Sequence, residues 1–287
     1  MPLDAEVLKK RVFADVAQTY AARDTMLYAL GLGFGHDPLD RGQLRYVYEQ
    51  GLQVVPSQCV VLGSPGFWWR EGDTGVDWVR IVHGEQGFEV ERPLPAEGSV
   101  IGRTRVTGVA DKGADKGALV YTERELIDQI SGERLARLTS TTFCRGDGGC
   151  GGDDPAPHPV HKLPDRQPDV IVNLPTLQQA ALIYRLSGDY NPLHADPEVA
   201  RKAGFERPIL HGLCTLGVAT HAILKACCEY EGSRLRSLRL RFSAPVYPGE
   251  TIRTEIWRDG DAVSFRARVV ERDVVVLNNG LAVIGLS

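Results

Sequence analysis

The sequence lacks most of the signatures that would assign a chemistry at once. Its six cysteines (59, 144, 150, 214, 227 and 228) form no CxxC pair. That excludes a paired-cysteine zinc site or dithiol redox couple, and free thiols in a reducing compartment are expected. No HExxH occurs for a zinc hydrolase, and no GxSxG for a nucleophilic serine. The glycine-rich stretch at 145–152 is not followed by the Lys-Ser/Thr that closes a phosphate loop. No apolar run approaches the roughly 18–20 residues of a membrane span. The N-terminal MPLDAEVLKKRVF lacks the apolar core of a signal peptide, and the C-terminal VIGLS matches no peroxisomal tripeptide or lipidation site. Basic excess is absent too, since the net charge is −4, which argues against nucleic acid. The expectation is a cytoplasmic protein with neither a membrane nor a nucleic-acid partner.

What is present is ordinary globular composition, 43% hydrophobic and 24% charged over 287 residues, a length that favours two domains over one. Residues 145–170, RGDGGCGGDDPAPHPVHKLPDRQPDV, are rich in Gly, Pro and Asp and read as a linker. The segments on either side resemble each other. Tyr28, Pro38 and Pro93 in the first half match Tyr184, Pro192 and Pro245 in the second, at separations of 156, 154 and 152 residues. Three matches in order at a nearly constant offset indicate duplication of one fold. The predicted division is residues 1–145, a linker at 146–170, and residues 171–287.

In the second half, Thr176 is positioned to cap a helix carrying Leu177, Ala180, Ala181 and Tyr184 on one face, with Gly188 closing it. Asp196-Pro197 opens a short helix that Gly204 ends. From Gly212, apolar residues through Cys227 repeat at helical spacing and predict a buried helix of about four or five turns. Alternating runs follow at Leu235–Phe242, Thr251–Arg258, Ala262–Arg272 and Val274–Ile284, with turns at Pro248-Gly249, Asp259-Gly260-Asp261 and Asn278-Asn279-Gly280. The layout is α+β, an antiparallel sheet wrapped around a helix. The first half has matching runs at Asp77–Arg92, Gly98–Ala110, Ala118–Gln129 and Arg134–Cys144. Where the long helix should stand, residues 52–71 contain two prolines and two glycines. A half that loses its central helix must fill that space or leave it open, and an open space suits a long apolar ligand. Phe67, Trp68 and Trp69 are candidates to line it.

The chemistry concentrates in LSGDYNPLH, residues 186–194. Asp189, Asn191 and His194 lie within six residues, on a backbone that Gly188 lets reverse and Pro192 keeps out of the helical region. Taken singly, an Asp after a capping glycine is commonly a turn former and a lone His is commonly structural. The first half has Gly31-Leu32-Gly33 and Asp40 at the matching positions, so the scaffold residues recur while the proton-moving groups do not. Downstream, PILHG brings Gly212 to a helix start, where free amides and the helix dipole can hold an oxyanion; a tight helix–strand contact explains the glycine equally well. His211 reads as structural or oxyanion-shaping. Together these groups suit addition or removal of water at a double bond conjugated to a carbonyl. Asp189, His194 and His211 also have metal-binding side chains, but their spacing fits no familiar zinc pattern, and no metal is expected.

LSGDYNPLHAD with RPILHGLCTLG resembles the signature of the (R)-specific enoyl-CoA hydratase 2 family, the MaoC-like dehydratases. YALGLGFGHDPLD, DTGVDWVRIVHGEQ and RGDGGCGG extend the resemblance to the family's long form, a double hot-dog with the central helix degraded in the first repeat. The resemblance implies that Asp189 and His194 activate water, that Asn191 helps orient it and that the Gly212 amide holds the thioester oxygen. It implies substrate or CoA contacts at His83, Gly84, Lys112 (with Lys116 of the second DKG unit competing), Tyr190, Pro192, Leu193 and Phe242. It further implies an acyl-CoA substrate, no cofactor, a homodimer, and reversible hydration of trans-2-enoyl-CoA to (3R)-3-hydroxyacyl-CoA. Alternatives are a dehydratase of acyl-carrier-protein or specialised CoA thioesters, a thioesterase, and a non-catalytic acyl-CoA-binding protein.

Overall fold

A computed structural model describes residues 3–285; Met1, Pro2, Leu286 and Ser287, the last two belonging to VIGLS, lie outside the described residues. The first half carries α1 (Ala5–Lys9), β1 (Val16–Tyr20), α2 (Ala22–Gly31), α3 (Arg41–Leu44), β2 (Ile81–Val90), β3 (Gly98–Asp111), β4 (Ala118–Asp128) and β5 (Arg134–Cys144). The second carries β6 (Val170–Pro175), α4 (Ala180–Tyr184), α5 (Pro197–Lys202), α6 (Gly212–Cys227), β7 (Leu235–Phe242), β8 (Thr251–Asp259), β9 (Ala262–Val269) and β10 (Val274–Ile284).

Among the described residues the strands form one ten-stranded sheet in the order β1-β3-β4-β5-β2-β7-β10-β9-β8-β6. Read inward from either edge, the order within each set of five is the same: first, third, fourth, fifth, second. The duplication legible in the sequence is thus a duplication of topology, and the fold is a double hot-dog. The halves meet at β2 and β7, paired antiparallel from Glu85↔Arg241 to Glu89↔Ser237. On β7, Leu238 and Leu240 enter the core while Arg239 and Arg241 take the other face, the period-two pattern of a sheet covered on one side.

α6 is buried at every position from Cys214 to Leu224, as befits a helix apolar all round. It packs against β6, β7, β8 and β10. In the first half its place is taken by a 3-10 turn, Pro56–Val61, buried from Pro56 to Val60 and packed on β2, β5 and α6. The Tyr28 hydroxyl donates to the Ser57 carbonyl at 3.0 Å, Gln58 Nε2 to Thr25 Oγ1 at 3.1 Å, and Arg124 Nη2 to the Val60 carbonyl at 2.7 Å. A short buried stretch of chain therefore stands where the second half has its long helix. Trp68 and Trp69 do not pack there. Their rings stack at 3.8 Å in a small separate core with Leu3, Leu8, Val106, Val109 and Val120, and Phe67 is exposed.

Three local expectations change. The helix expected from Thr176 begins at Ala180, because the Thr176 hydroxyl is engaged elsewhere: it donates to the Glu250 carbonyl at 2.8 Å and accepts from the Gly249 N–H at 2.9 Å. Asn278-Asn279-Gly280 is not a turn. It lies inside β10, where the register shifts between Leu277 and Gly280 and Asn279 adopts φ 53°, a bulge. Asp40 caps α3 by accepting from the Gly42 and Gln43 amides, as Asp196 caps α5 through Glu198 and Val199. By role, the counterpart of Asp40 is Asp196. No helix among the described residues is long and apolar enough to cross a membrane.

Candidate active site

α4 runs into a 3-10 turn, Arg185–Ser187, that ends at Gly188 with φ 120°, a conformation side-chain-bearing residues rarely adopt. The chain reverses there. The Asp189 carboxylate accepts the Asn191 N–H at 3.1 Å, and the Asn191 side-chain oxygen accepts the Leu193 N–H at 3.1 Å. That second bond caps another 3-10 turn, Pro192–His194, whose first position is the proline. Asn191 thus shapes the loop itself. The turn drives His194 inward to 8% exposure, while Asp189 stays exposed.

His194 Nδ1 lies 2.8 Å from the Ile209 carbonyl. A carbonyl only accepts, so Nδ1 carries the proton and Nε2 presents a bare lone pair. Burial lowers the pKa of His194 below the usual imidazole value, with the Ile209 bond and the Asp189 charge opposing. The ring is therefore neutral at neutral pH and able to accept a proton. Its stacking partner is His211, with centroids 3.7 Å apart and planes 26° apart. His211 is 1% exposed, and its Nε2 lies 3.1 Å from the Asp189 carbonyl. Burial, with His194 close by, pushes the His211 pKa down to about 4.

Gly212 follows as the first residue of α6. His211 makes no side-chain capping bond, and the first amides of a helix have no acceptor within it. A Cβ at Gly212 would stand 3.2 Å from the Phe242 ring. That ring lies 4.8 Å from His83, so β2 of the first half and β7 of the second both reach the helix start. His83 Nε2 sits 3.1 Å from the Glu85 carbonyl and 3.2 Å from Ser140 Oγ. Burial drives its pKa down to about 4, and the field of Asp189 opposes that shift across the seam.

Asp189, His194 and His211 each offer a ligand-type atom within 4.8 Å of the others. The fit to a metal is poor. Lone pairs lie in the imidazole planes, and two nearly parallel stacked rings do not meet at a common point about 2 Å from each nitrogen.

The remaining sequence candidates divide by position. Gly84 lies on β2 beside His83, and Pro192 and Leu193 belong to the loop from Asp189 to His194. Tyr190 is exposed under the Arg185 guanidinium, 5.0 Å from its ring. Lys112 and Lys116 are exposed in the β3–β4 turn, where their amides bond to Gly117 and Gly113. The register Ala118↔Cys144↔Ile81 puts this turn at the same sheet end as His83, separated from β2 by β5. The Ile209 carbonyl was not visible from sequence, because a main-chain acceptor carries no residue-type signature.

A double hot-dog with the Asp189–His194 loop set against the start of α6 points to the MaoC-like dehydratases. The family described as MaoC like domain matches residues 159–280, and the MFE-2 hydratase 2 N-terminal domain matches residues 18–146. The chain is 38% identical to the peroxisomal enoyl-CoA hydratase 2 of Arabidopsis thaliana, covering 99% of this chain and 96% of that one. It is 40% identical to 3-hydroxyacyl-thioester dehydratase Y of Mycobacterium tuberculosis, over 90% of each. A crystal structure of a MaoC-like dehydratase from Phytophthora capsici superposes with a TM-score of 0.88 at 36% identity, covering 98% of this chain and 99% of that one. A Mycobacterium tuberculosis protein described as a double hotdog fold, 16% identical, superposes with a TM-score of 0.58 over 98% of this chain and 97% of that one, which speaks for the fold alone. The chain belongs to the enoyl-CoA hydratase 2 family, and the enzyme is a hydro-lyase.

Proposed function

We propose that the enzyme hydrates trans-2-enoyl-CoA reversibly to (3R)-3-hydroxyacyl-CoA. The observation carrying this reading is the convergence of a neutral imidazole with a bare Nε2, a carboxylate and the free amides of α6 at one end of the seam. Asp189 and His194 hold one water between them. His194 Nε2 takes a proton as the water oxygen bonds to Cβ, and the electrons of the double bond pass through Cα to the thioester oxygen. The Gly212 N–H receives that oxyanion, an interaction worth about 3–4 kcal/mol in comparable sites. The proton is then returned to Cα, completing addition of one water. Acid–base help of this kind contributes roughly 10²–10⁴-fold.

The step consumes no electrons and draws on no metal or redox cofactor. Support for the acyl-CoA substrate comes from the names of the relatives, and for the (3R) outcome from the resemblance of the LSGDYNPLH and PILHG motifs. A homodimer is part of the same reading, and light scattering on the purified enzyme checks it. The test is an assay with crotonyl-CoA and longer trans-2-enoyl-CoAs, following loss of the conjugated thioester absorbance. Hydration is expected; its absence at every chain length overturns the reading.

A further inference from the structure

We infer that His211 is a positioning residue that ties the acid–base loop to the oxyanion site through its Nε2–H bond to the Asp189 carbonyl. The inference rests on the proposed hydration. His211 is the residue that reaches all three parts of that chemistry. Its backbone carbonyl accepts the Cys214 and Thr215 amides, fixing the first turn of α6 and with it the Gly212 N–H. Its side chain spans 22 residues back to the Asp189 carbonyl at 3.1 Å. One face of the ring stacks on His194 at 3.7 Å, and Tyr184 packs against it at 5.1 Å.

The tautomer follows from the partner. Asp189 offers a carbonyl, so Nε2 carries the proton, and Nδ1 is left buried without a partner. A buried nitrogen without a hydrogen bond carries a desolvation cost. A ring chosen only for packing would avoid that cost as Phe or Leu, so the donor at Nε2 is what the position requires. Asp189 needs such a tie. It follows Gly188, whose φ of 120° places it at a chain reversal, and its side chain is exposed. The carboxylate's one local bond, to Asn191 N–H, turns with the loop, so it fixes the carboxylate to the loop but not the loop to α6. The His211 bond supplies that second anchor. Because His211 stays neutral, it neither repels the charge that His194 gains during turnover nor competes for the proton.

Three variants separate the bond from the packing. His211→Gln keeps an N–H donor of similar reach, His211→Phe keeps the ring and its stack without the donor, and His211→Leu is the second donor-free variant should Phe not fold. Activity is measured per folded molecule on crotonyl-CoA, with circular dichroism and Tm alongside. The expected pattern is that Gln retains kcat within about tenfold, while Phe or Leu loses on the order of 10²-fold in kcat, the penalty of a misplaced catalytic group, with KM little changed. Phe or Leu matching wild type, or Gln falling as far as Phe in a native fold, overturns the inference and leaves the hydration reading standing. A wild type that hydrates no enoyl-CoA overturns the reading instead. Histidine ¹⁵N NMR gives a check independent of turnover: His211 is expected as the neutral Nε2–H tautomer at pH 7, and an Nδ1–H tautomer or imidazolium there also overturns the inference.

Discussion

At the residue scale, two backbone carbonyls set the protonation of the site. The Ile209 carbonyl holds the proton on His194 Nδ1 and burial keeps the ring neutral, so Nε2 carries a lone pair at neutral pH, as the proposed reaction requires. Asp189→Asn and His194→Gln are each expected to lower kcat by roughly 10²–10⁴-fold with Tm unchanged, measured on crotonyl-CoA. The pH dependence has a definite sign. The folded pKa of His194 lies below 6.5, so the base form persists through neutrality, and kcat/KM is expected to fall only on the acid side of 6.5. A midpoint above 6.5 in the kcat/KM profile would contradict the burial argument. That Asp189, Asn191 and His194 share one loop was legible in sequence, because Gly188 and Pro192 bracket them. The Ile209 carbonyl was not, since any residue supplies one.

At the element scale, α6 is core along its body and, in the proposed reaction, the oxyanion site at its start. Its buried body could be read from apolar spacing, and its start from Gly212. The Phe242 ring is what gives that glycine its second purpose. Gly212→Ala would press a methyl toward a ring 3.2 Å away, and it is expected to lower kcat by roughly tenfold to a hundredfold while shifting Tm much less. Asp40→Ala tests the comparison of the halves. It removes the cap of α3, expected to cost about 1 kcal/mol of stability by denaturant titration, and leaves turnover per folded molecule unchanged. Short elements were the hard ones to read. β1 and β6 are five and six residues long and offer too little alternation to stand out. Thr176 had the look of a helix cap, yet its hydroxyl is used by a turn 73 residues away, a tertiary bond that local propensity cannot reveal.

At the scale of the molecule, the two halves are one structure. β2 and β7 share backbone hydrogen bonds, Arg241 Nε donates to Glu85 at 2.5 Å, and Leu32 of the first half packs where a Cβ on Gly217 of α6 would stand. His221 of α6 stacks on Phe34 at 3.7 Å, and burial pushes its pKa down to about 4. His83, His211 and His221 are thus all neutral when folded and have pKa values near 4, while the unfolded chain takes up protons near 6.5. Stability is undiminished above pH 6.5 and is expected to fall as pH drops from 6.5 toward 4, seen as a Tm that declines across that window. The duplication was legible because Tyr28 and Tyr184, Pro38 and Pro192 sit at matched places in the scaffold. The burial of the 3-10 turn at Pro56–Val61 was not, because nothing in its composition says where a broken segment packs. The central claim is that this assembly adds water to a conjugated thioester with a fixed face. The most direct measurement is the configuration of the product from purified enzyme, crotonyl-CoA and water. The account predicts (3R)-3-hydroxybutyryl-CoA; a (3S) product, or none, would contradict it.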